Sequence, residues 1–326
     1  MFKTNRTDKS GTLTELDYTV YGRMIPLTKI IQHMREMHKD YQRETETNET
    51  HTRHLRIWHD HSDILNHTYI SIMVSTLYDT ASFITDEEYR AKYPERPPAD
   101  VQAMVEKPFL YVLGQSSSSD IDQLSYIPVR VDDLQNLKAQ SGEVRYVMRF
   151  FSGDGPPRQF EAGHQRGGNF ACLCGIPSKD HMNLDNAFQI DVPSSQERLK
   201  IFKEGELWKG FSLMRPSPFA NLKKQDIMRE LVARSHDTDD KNKVELQEEL
   251  SNTLRGIQRP PAMFSTPKNV FDLLHDYEVP PGEPLHDITN VVQNLITELP
   301  YHISNPDTLK DFEKFSTATI GDKNQI

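Results

Sequence analysis

Apolar, β-branched and aromatic residues are concentrated in four short segments of the first half of the chain, and polar stretches separate them. This pattern is typical of β-strands. The segments begin at Leu55, Thr68, Pro108 and Val144, and the last ends at Phe151. The first two are close in sequence and are expected to pair antiparallel. A helix is predicted between the last two strands, over Asp132–Gln140.

Apolar residues recur every three or four positions in four other segments, which predicts amphipathic helices. The first is Ile25–Met37, and its apolar face is Leu27, Ile30, Ile31 and Met34. Lys224–Arg234 and Lys241–Leu254 flank a polar hinge and predict a helical hairpin with few contacts to the sheet. The apolar positions of this hairpin are Ile227, Leu231, Val232, Val244, Leu246, Leu250 and Leu254. The fourth helix is predicted over Ile288–Leu299.

Three strands, a helix and a fourth strand ending at an acidic residue follow the order of a ribonuclease H-like core. The predicted fold class is α/β, a ribonuclease H-like mixed sheet with helices, interrupted by a mainly helical insertion. We expect an N-terminal helical and polar segment over 1–50, the core over 51–175, the insertion over 176–275 with the hairpin 222–254, a helix returning to the core within 276–304, and a polar tail over 305–326.

Two acidic residues stand at the ends of predicted strands. Asp60 ends the first strand, and Asp154 follows the fourth, before a helix that is expected to begin at Pro157. Paired carboxylates supply the hard oxygen ligands that Mg²⁺ or Mn²⁺ prefers, and two such cations can clamp an in-line phosphoryl transfer. The alternative is that Asp60 belongs to a polar strand edge and that Asp154 is an ordinary turn residue.

The segment RFFSGDGPPRQFEAGHQRGGNFACLCG, the strands before it and the later string GEPLHDITNVVQNLITELP together resemble the catalytic region of cut-and-paste DNA transposases. The pattern is most similar to the CACTA (En/Spm) superfamily and more distantly to the Transib-related V(D)J recombinase. The resemblance implies metal-dependent cleavage and transfer of DNA strands, with Asp60 and Asp154 as metal ligands. Glu283 opens an acid-x-x-His string with His286, and Glu283 is the alternative second metal-binding acid.

The third catalytic acid of that family is not apparent in this sequence. In the family it lies on a late helix after a sizeable insertion, whereas this chain ends about forty residues beyond His286. Glu298 is the nearest helical candidate, but it comes too early for that position. We therefore expect the chain as given to be catalytically incomplete.

Cys172 and Cys174 are the only two cysteines of the chain. Together with His181 and His286 they are candidate ligands of a structural Zn²⁺ ion. Their C-x-C spacing departs from the C-x-x-C of the family, and the alternative is that both thiols are small core groups. Two cysteines this close exclude a disulfide framework and indicate a reducing compartment.

The predicted hairpin resembles a SAP-type helix-loop-helix DNA-binding motif, with Ser235-His236 in place of the usual glycine. The resemblance implies that its basic residues contact phosphates. These residues are Arg229, Arg234, Lys241 and Lys243. The alternative is an ordinary helical hairpin whose nearly balanced charges are solvated.

Composition limits the choice of partners. The formal net charge of -10 at pH 7 argues against a protein that coats nucleic acid without specificity, because that mode needs a basic surface. It is compatible with a metal-dependent nuclease, whose carboxylates gather around cations. Neither a signal peptide nor an apolar run of membrane-spanning length is visible. We expect an intracellular protein, nuclear if the transposase resemblance holds, with DNA as partner, no membrane association and no small-molecule cofactor.

The expected function is that of a transposase-derived, recombinase-like DNA-binding domain. Mg²⁺ or Mn²⁺ is its cofactor if it is active, and assembly into a homo-oligomer is an open expectation. The alternative is a non-catalytic module that binds protein or DNA, with or without structural Zn²⁺.

Overall fold

The computed structural model describes residues 22–43, 51–116, 119–140, 144–182, 191–213, 215–266, 277–282 and 284–320. The chain divides into two compact units, with the boundary between Pro281 and Gly282. Structural statements below concern the described residues, and each unit is described by itself.

The first unit contains a five-stranded mixed sheet. Its strands are β1 (Gly22–Met24), β2 (His51–Ile64), β3 (His67–Thr76), β4 (Phe109–Gln115) and β5 (Val144–Ser152), in the spatial order β1-β4-β3-β2-β5. β2 and β3 pair antiparallel, as predicted, and β3–β4 and β4–β1 are antiparallel too. Only the pairing of β2 with β5 is parallel among the described strands. The α/β fold class with a mixed sheet is confirmed.

β2 and β3 are joined by a two-residue turn at Leu65 and Asn66. Both residues have positive φ, 49° and 65°, which matches the type I′ hairpin turn that suits the twist of paired strands. The turn sets the antiparallel register in which Ile64 lies opposite His67. A register shift between Leu55 and Arg56 then adjusts the parallel pairing with β5.

The helices of the first unit fill the connections between and after the strands. They are α1 (Leu27–Met37), α2 (Asp86–Lys92), α3 (Val101–Val105), α4 (Asp120–Leu124), α5 (Ile127–Gln140), α6 (Gly155–Glu161), α7 (Ser195–Lys203), α8 (Lys224–Ala233) and α9 (Lys243–Leu254), with short 3₁₀ helices at Ser178–Met182, Leu207–Gly210 and Ala262–Phe264. α5 begins five residues before the predicted Asp132. Ile127 and Val131 are fully buried there, so packing overrides the weak helix propensity of β-branched residues.

The core lies on the sheet face that α1 and α5 cover. All four residues of the predicted α1 face are buried, which confirms that prediction. They join Leu55 and Ile57 of β2 in one apolar cluster. Pro26 cannot cap α1 with a side chain, and Asp133 of α5 takes that role by accepting a hydrogen bond from the Leu27 N–H at 2.8 Å. This bond fastens α1 to α5.

The second unit contains α10 (Pro284–His302) and α11 (Pro306–Ile320), which contact each other. The helix predicted over Ile288–Leu299 lies within α10. Its return to the core stays a prediction.

Candidate functional site

Asp60 lies within β2 rather than at the predicted strand end, because the strand continues to Ile64 in its pairing with β3, and Asp154 follows the end of β5. The last paired residues of β2 and β5 are Trp58 and Ser152. Asp60 lies two residues beyond Trp58, and Asp154 lies two residues beyond Ser152. β5 ends at Ser152, so the parallel pairing does not extend to the two acids, and the closeness of their carboxylates stays a prediction. Both acids are exposed.

Local hydrogen bonds hold the backbone around each acid. Asp154 is the N-cap of α6, and its Oδ1 accepts from the Gly155 N–H at 2.6 Å. The helix therefore starts at Gly155 rather than at the predicted Pro157, and the prolines fall in the first turn, where they have no N–H to satisfy. The Oδ1 of Asp60 accepts from the His61 N–H at 2.8 Å.

A buried polar cluster lies directly behind Asp60. Glu161, at the end of α6, accepts from Arg130 at 2.5 Å and from the Tyr277 hydroxyl at 3.2 Å. His59 Nε2 is 3.6 Å from the same carboxylate, and the His59 and Glu161 side chains have no exposed surface. Burial, and then the charge of Arg130, lowers the pKa of His59 well below its usual value, so this imidazole is neutral. The cluster ties β2 to α5 and α6.

Sequence reasoning missed this cluster. Glu161 and Arg130 are helical charged residues of the kind that usually face solvent, and nothing in their spacing marks them as a pair. His59 is the one member of the cluster whose burial the sequence pattern indicates. It alternates with Asp60 along β2 and therefore points to the opposite, core-facing side of the sheet.

Asp120 pairs with two arginines. Arg166, in the loop after α6, is 3.0 Å from Asp120. Asp120 is also 3.2 Å from Arg259, whose guanidinium lies over the Phe160 ring. Burial, and then the charge of Arg166, lowers the pKa of His61, so the guanidinium acts on the residue next to Asp60. This arginine was not predicted as a site residue.

The two cysteines lie together, with arginines around them. Cys172 is half-buried and Cys174 is buried, and the Cys174 N–H is 3.4 Å from the Cys172 sulfur. Burial, and then the hydrogen bond with Cys174, raises the pKa of Cys172 to about 11. Arg198 donates to the Leu173 carbonyl, and Arg255 donates to the Cys174 carbonyl. The positive charges of both arginines would repel a Zn²⁺ ion at the two thiols.

The described residues contain no group of three or more His, Cys, Asp or Glu side chains arranged to hold a metal ion. Glu283 and the side chains of His181 and His286 lie outside the described residues. The Zn²⁺ site and the third Mg²⁺ ligand stay predictions.

The predicted hairpin is formed by α8 and α9, which pack on each other. Its own apolar cluster is Leu222, Ile227, Leu231, Leu246, Leu250 and Leu254. Two predicted members do not belong to it: Val232 is 59% exposed and Val244 is 71% exposed. Val232 lies on the far side of α8, and Val244 lies in the first turn of α9, so neither faces the partner helix.

One of the four predicted phosphate contacts is wrong. The Arg234 side chain is fully buried, pairs with Glu230 at 2.8 Å and donates to the Ile201 carbonyl at 2.9 Å. It holds α8 to the end of α7 and cannot reach a phosphate. Lys241 pairs with Glu249 at 2.7 Å.

The two remaining candidates are on the surface. Arg229 is 69% exposed and pairs with Asp226, and Lys243 is exposed at the start of α9. Over 222–254 the sequence has six Lys and Arg residues and eight Asp and Glu residues. A surface with this balance gives little electrostatic attraction for DNA, so the phosphate contacts of Arg229, Lys241 and Lys243 stay predictions.

Comparison with protein-family models gives no match, and comparison with curated proteins gives none either. Among the described helices, none combines the length and the apolar character needed to cross a lipid bilayer.

Proposed function

We propose that the first unit is a ribonuclease H-like domain of the kind used by cut-and-paste DNA transposases, and that Asp60 and Asp154 together bind Mg²⁺ or Mn²⁺ beside a DNA phosphate. The observation that carries this proposal is the strand order β4-β3-β2-β5, with three antiparallel strands followed by a parallel fourth. A ribonuclease H-like core has the same order and places an acid on its first strand beside an acid after its fourth.

The chemistry of the two acids supports a cation rather than a basic side chain as the DNA contact. Both carboxylates are exposed, and their oxygens are the ligands that Mg²⁺ prefers. Mg²⁺ bound by one or two carboxylates characteristically completes its coordination with phosphate oxygens and water. A cation bound by the two acids would therefore join the domain to DNA in spite of the net negative charge of the chain.

The site supports DNA binding better than it supports cleavage. An in-line attack on phosphorus must stabilise both the entering and the leaving oxygen, and paired metals do so when several carboxylates hold them. Asp60 and Asp154 supply only two of the carboxylates that such a pair of metals needs. We therefore propose a DNA-binding, recombinase-like domain, with strand transfer as the activity of an intact relative.

Fluorescence anisotropy of a labelled DNA duplex, in MnCl₂ and in EDTA, tests this function. The proposal predicts that Mn²⁺ strengthens binding by the wild-type chain about tenfold, equivalent to 1.4 kcal/mol. Asp154→Asn removes the charge but keeps a good N-cap for α6, and it is expected to abolish the Mn²⁺ effect. Equal wild-type affinity in MnCl₂ and EDTA would contradict the proposal.

A supercoiled-plasmid assay tests the second part. No nicking is expected with Mg²⁺ or Mn²⁺. Metal-dependent nicking that Asp154→Ala abolishes would show that a further acid, with Glu283 and Glu298 the first candidates, completes the site.

A further inference from the structure

A cavity of about 350 Å³ lies between the hairpin and the loops that flank it. Its walls come from the segment before α8, from α9 and from the loop after α9, with Gln165 at one side. The volume is at the lower end of the range in which protein pockets hold small molecules or single chemical groups. Neither the carboxylate site nor the predicted phosphate contacts include any of these residues.

The polar lining of this cavity is neutral. Six lining side chains carry hydrogen-bonding groups: Gln165, Ser217, Asn221, Gln247, Ser251 and Gln258. None of the described residues that line the cavity is ionisable. An amide side chain offers both donors and an acceptor, whereas a phosphate or carboxylate group needs cationic or multiple N–H partners. The lining therefore fits an uncharged group that presents donors and acceptors together.

The rest of the lining is apolar and includes an aromatic ring. Phe219 lines the cavity beside Leu250 and Leu254. The Phe219 ring is held in place by edge-to-face packing on Phe202, with 5.7 Å between ring centroids. Flat heterocycles stack on aromatic side chains and gain hydrogen bonds along their edges, which is how unpaired nucleobases are bound. Glutamine and asparagine amides are also the side chains that pair with adenine.

A cationic side chain follows the cavity lining in sequence. Gln165 lines the cavity, and the next residue is Arg166, which is 31% exposed and pairs with Asp120. A guanidinium at this position is suited to the phosphate of a nucleotide whose base lies in the cavity.

We propose that this cavity binds an unpaired nucleobase of the DNA to which the domain binds. The inference rests on the proposed function for the origin of the base. The base would lie against Phe219 and form hydrogen bonds with the surrounding amides.

Adenosine, a neutral nucleoside without phosphate, is the probe for this site. Saturation-transfer NMR on the full chain in EDTA is expected to show transfer to the purine protons. Gln247→Leu removes an exposed amide of the lining and is expected to weaken adenosine binding at least fivefold. Gln225→Leu is the matched control, because Gln225 is exposed on α8 but does not line the cavity, and its affinity should equal that of the wild type.

A cavity-filling variant gives a second measurement. Ser251→Phe is expected to abolish transfer from the protein to adenosine. If this variant does not fold, the comparison of Gln247→Leu with Gln225→Leu still decides. Absence of transfer in the wild type, equal affinity of those two variants, or displacement of adenosine by a neutral capped peptide at lower concentration would overturn the proposal.

The same experiment on Asp60→Asn separates this inference from the proposed function. Adenosine binding should be the same in this variant as in the wild type, because the measurement is made in EDTA and neither protein then holds a metal ion. Absence of a Mn²⁺ effect on duplex binding by the wild-type chain, with adenosine binding intact, would contradict the metal site alone.

Discussion

The Arg130 guanidinium lies 2.5 Å from the Glu161 carboxylate, and the two side chains are 2% and 0% exposed. Removal of one partner leaves a buried charge without its counter-ion, which typically costs about 3–5 kcal/mol. We therefore expect Glu161→Gln to lower the free energy of unfolding by an amount in this range, measured by urea denaturation. Asp40→Asn is the control, because its ion pair with Arg96 is largely exposed and should matter much less. Equal losses in both variants would show that Arg130 and Glu161 are not a buried pair.

Arg234 and Arg229 lie five positions apart on the hairpin, and only substitution of Arg234 is expected to lower the stability of the chain. Arg234 is buried against Glu230, so Arg234→Met is expected to destabilise the chain by several kcal/mol, of the order of 3 kcal/mol. Arg229 is exposed, and Arg229→Ala should leave the unfolding midpoint close to that of the wild type. Thermal unfolding followed by circular dichroism makes the comparison. An Arg234→Met variant with the unfolding midpoint of the wild type would show that Arg234 lies on the surface.

The turn between β2 and β3 carries a residue that is poorly suited to its conformation. Leu65 is 89% exposed and has φ of 49°. A left-handed conformation costs a residue with an ordinary side chain roughly 1–2 kcal/mol, and asparagine tolerates it better. Leu65→Asn is therefore expected to raise the free energy of unfolding by about 1 kcal/mol. Leu65→Val should lower it, and a reversed order of the two midpoints would contradict the turn geometry.

His164 makes the free energy of unfolding depend on pH. Burial, and then the charge of Arg198, lowers its pKa to about 4, from 6.5 in the unfolded chain. The unfolded state binds the proton more readily, so the stability is fully present above pH 6.5 and is lost as the pH falls towards 4. For one such group, the free energy of unfolding is expected to change by at most about 1.4 kcal/mol per pH unit. Urea denaturation between pH 7 and pH 4.5 should give a shallower slope for His164→Gln than for the wild type. Equal slopes would show that His164 is not neutral in the folded chain.

The sequence predicted the elements whose residues carry a local signal. The four long strands were identified from their β-branched and aromatic runs, and the buried face of α1 from its spacing. Asp154 was singled out because an acid directly follows a predicted strand, although its role as the N-cap of α6 was not predicted. These signals reside within a few residues of one another.

The misses share one physical cause. Glu161, Arg130 and Arg234 are charged residues on helices, and sequence alone assigns such residues to solvent. Their burial depends on partners that come from other elements, up to 116 residues away for Tyr277 and Glu161. The polar side chains that line the cavity likewise come from segments far apart in sequence, from Gln165 to Gln258. Tertiary contacts of this kind leave no periodic trace in the sequence.

Direct binding of Mn²⁺ tests the central claim, that Asp60 and Asp154 form one cation site. Electron paramagnetic resonance of free Mn²⁺ gives the bound fraction during a titration of the full chain. Asp60→Asn and Asp154→Asn should each abolish the site, because a lone carboxylate holds Mn²⁺ weakly. Asp63→Asn is the matched control, an exposed acid further along β2, and should bind as the wild type does. Mn²⁺ binding that survives in both Asp60→Asn and Asp154→Asn, or no binding by the wild type, would contradict the central claim.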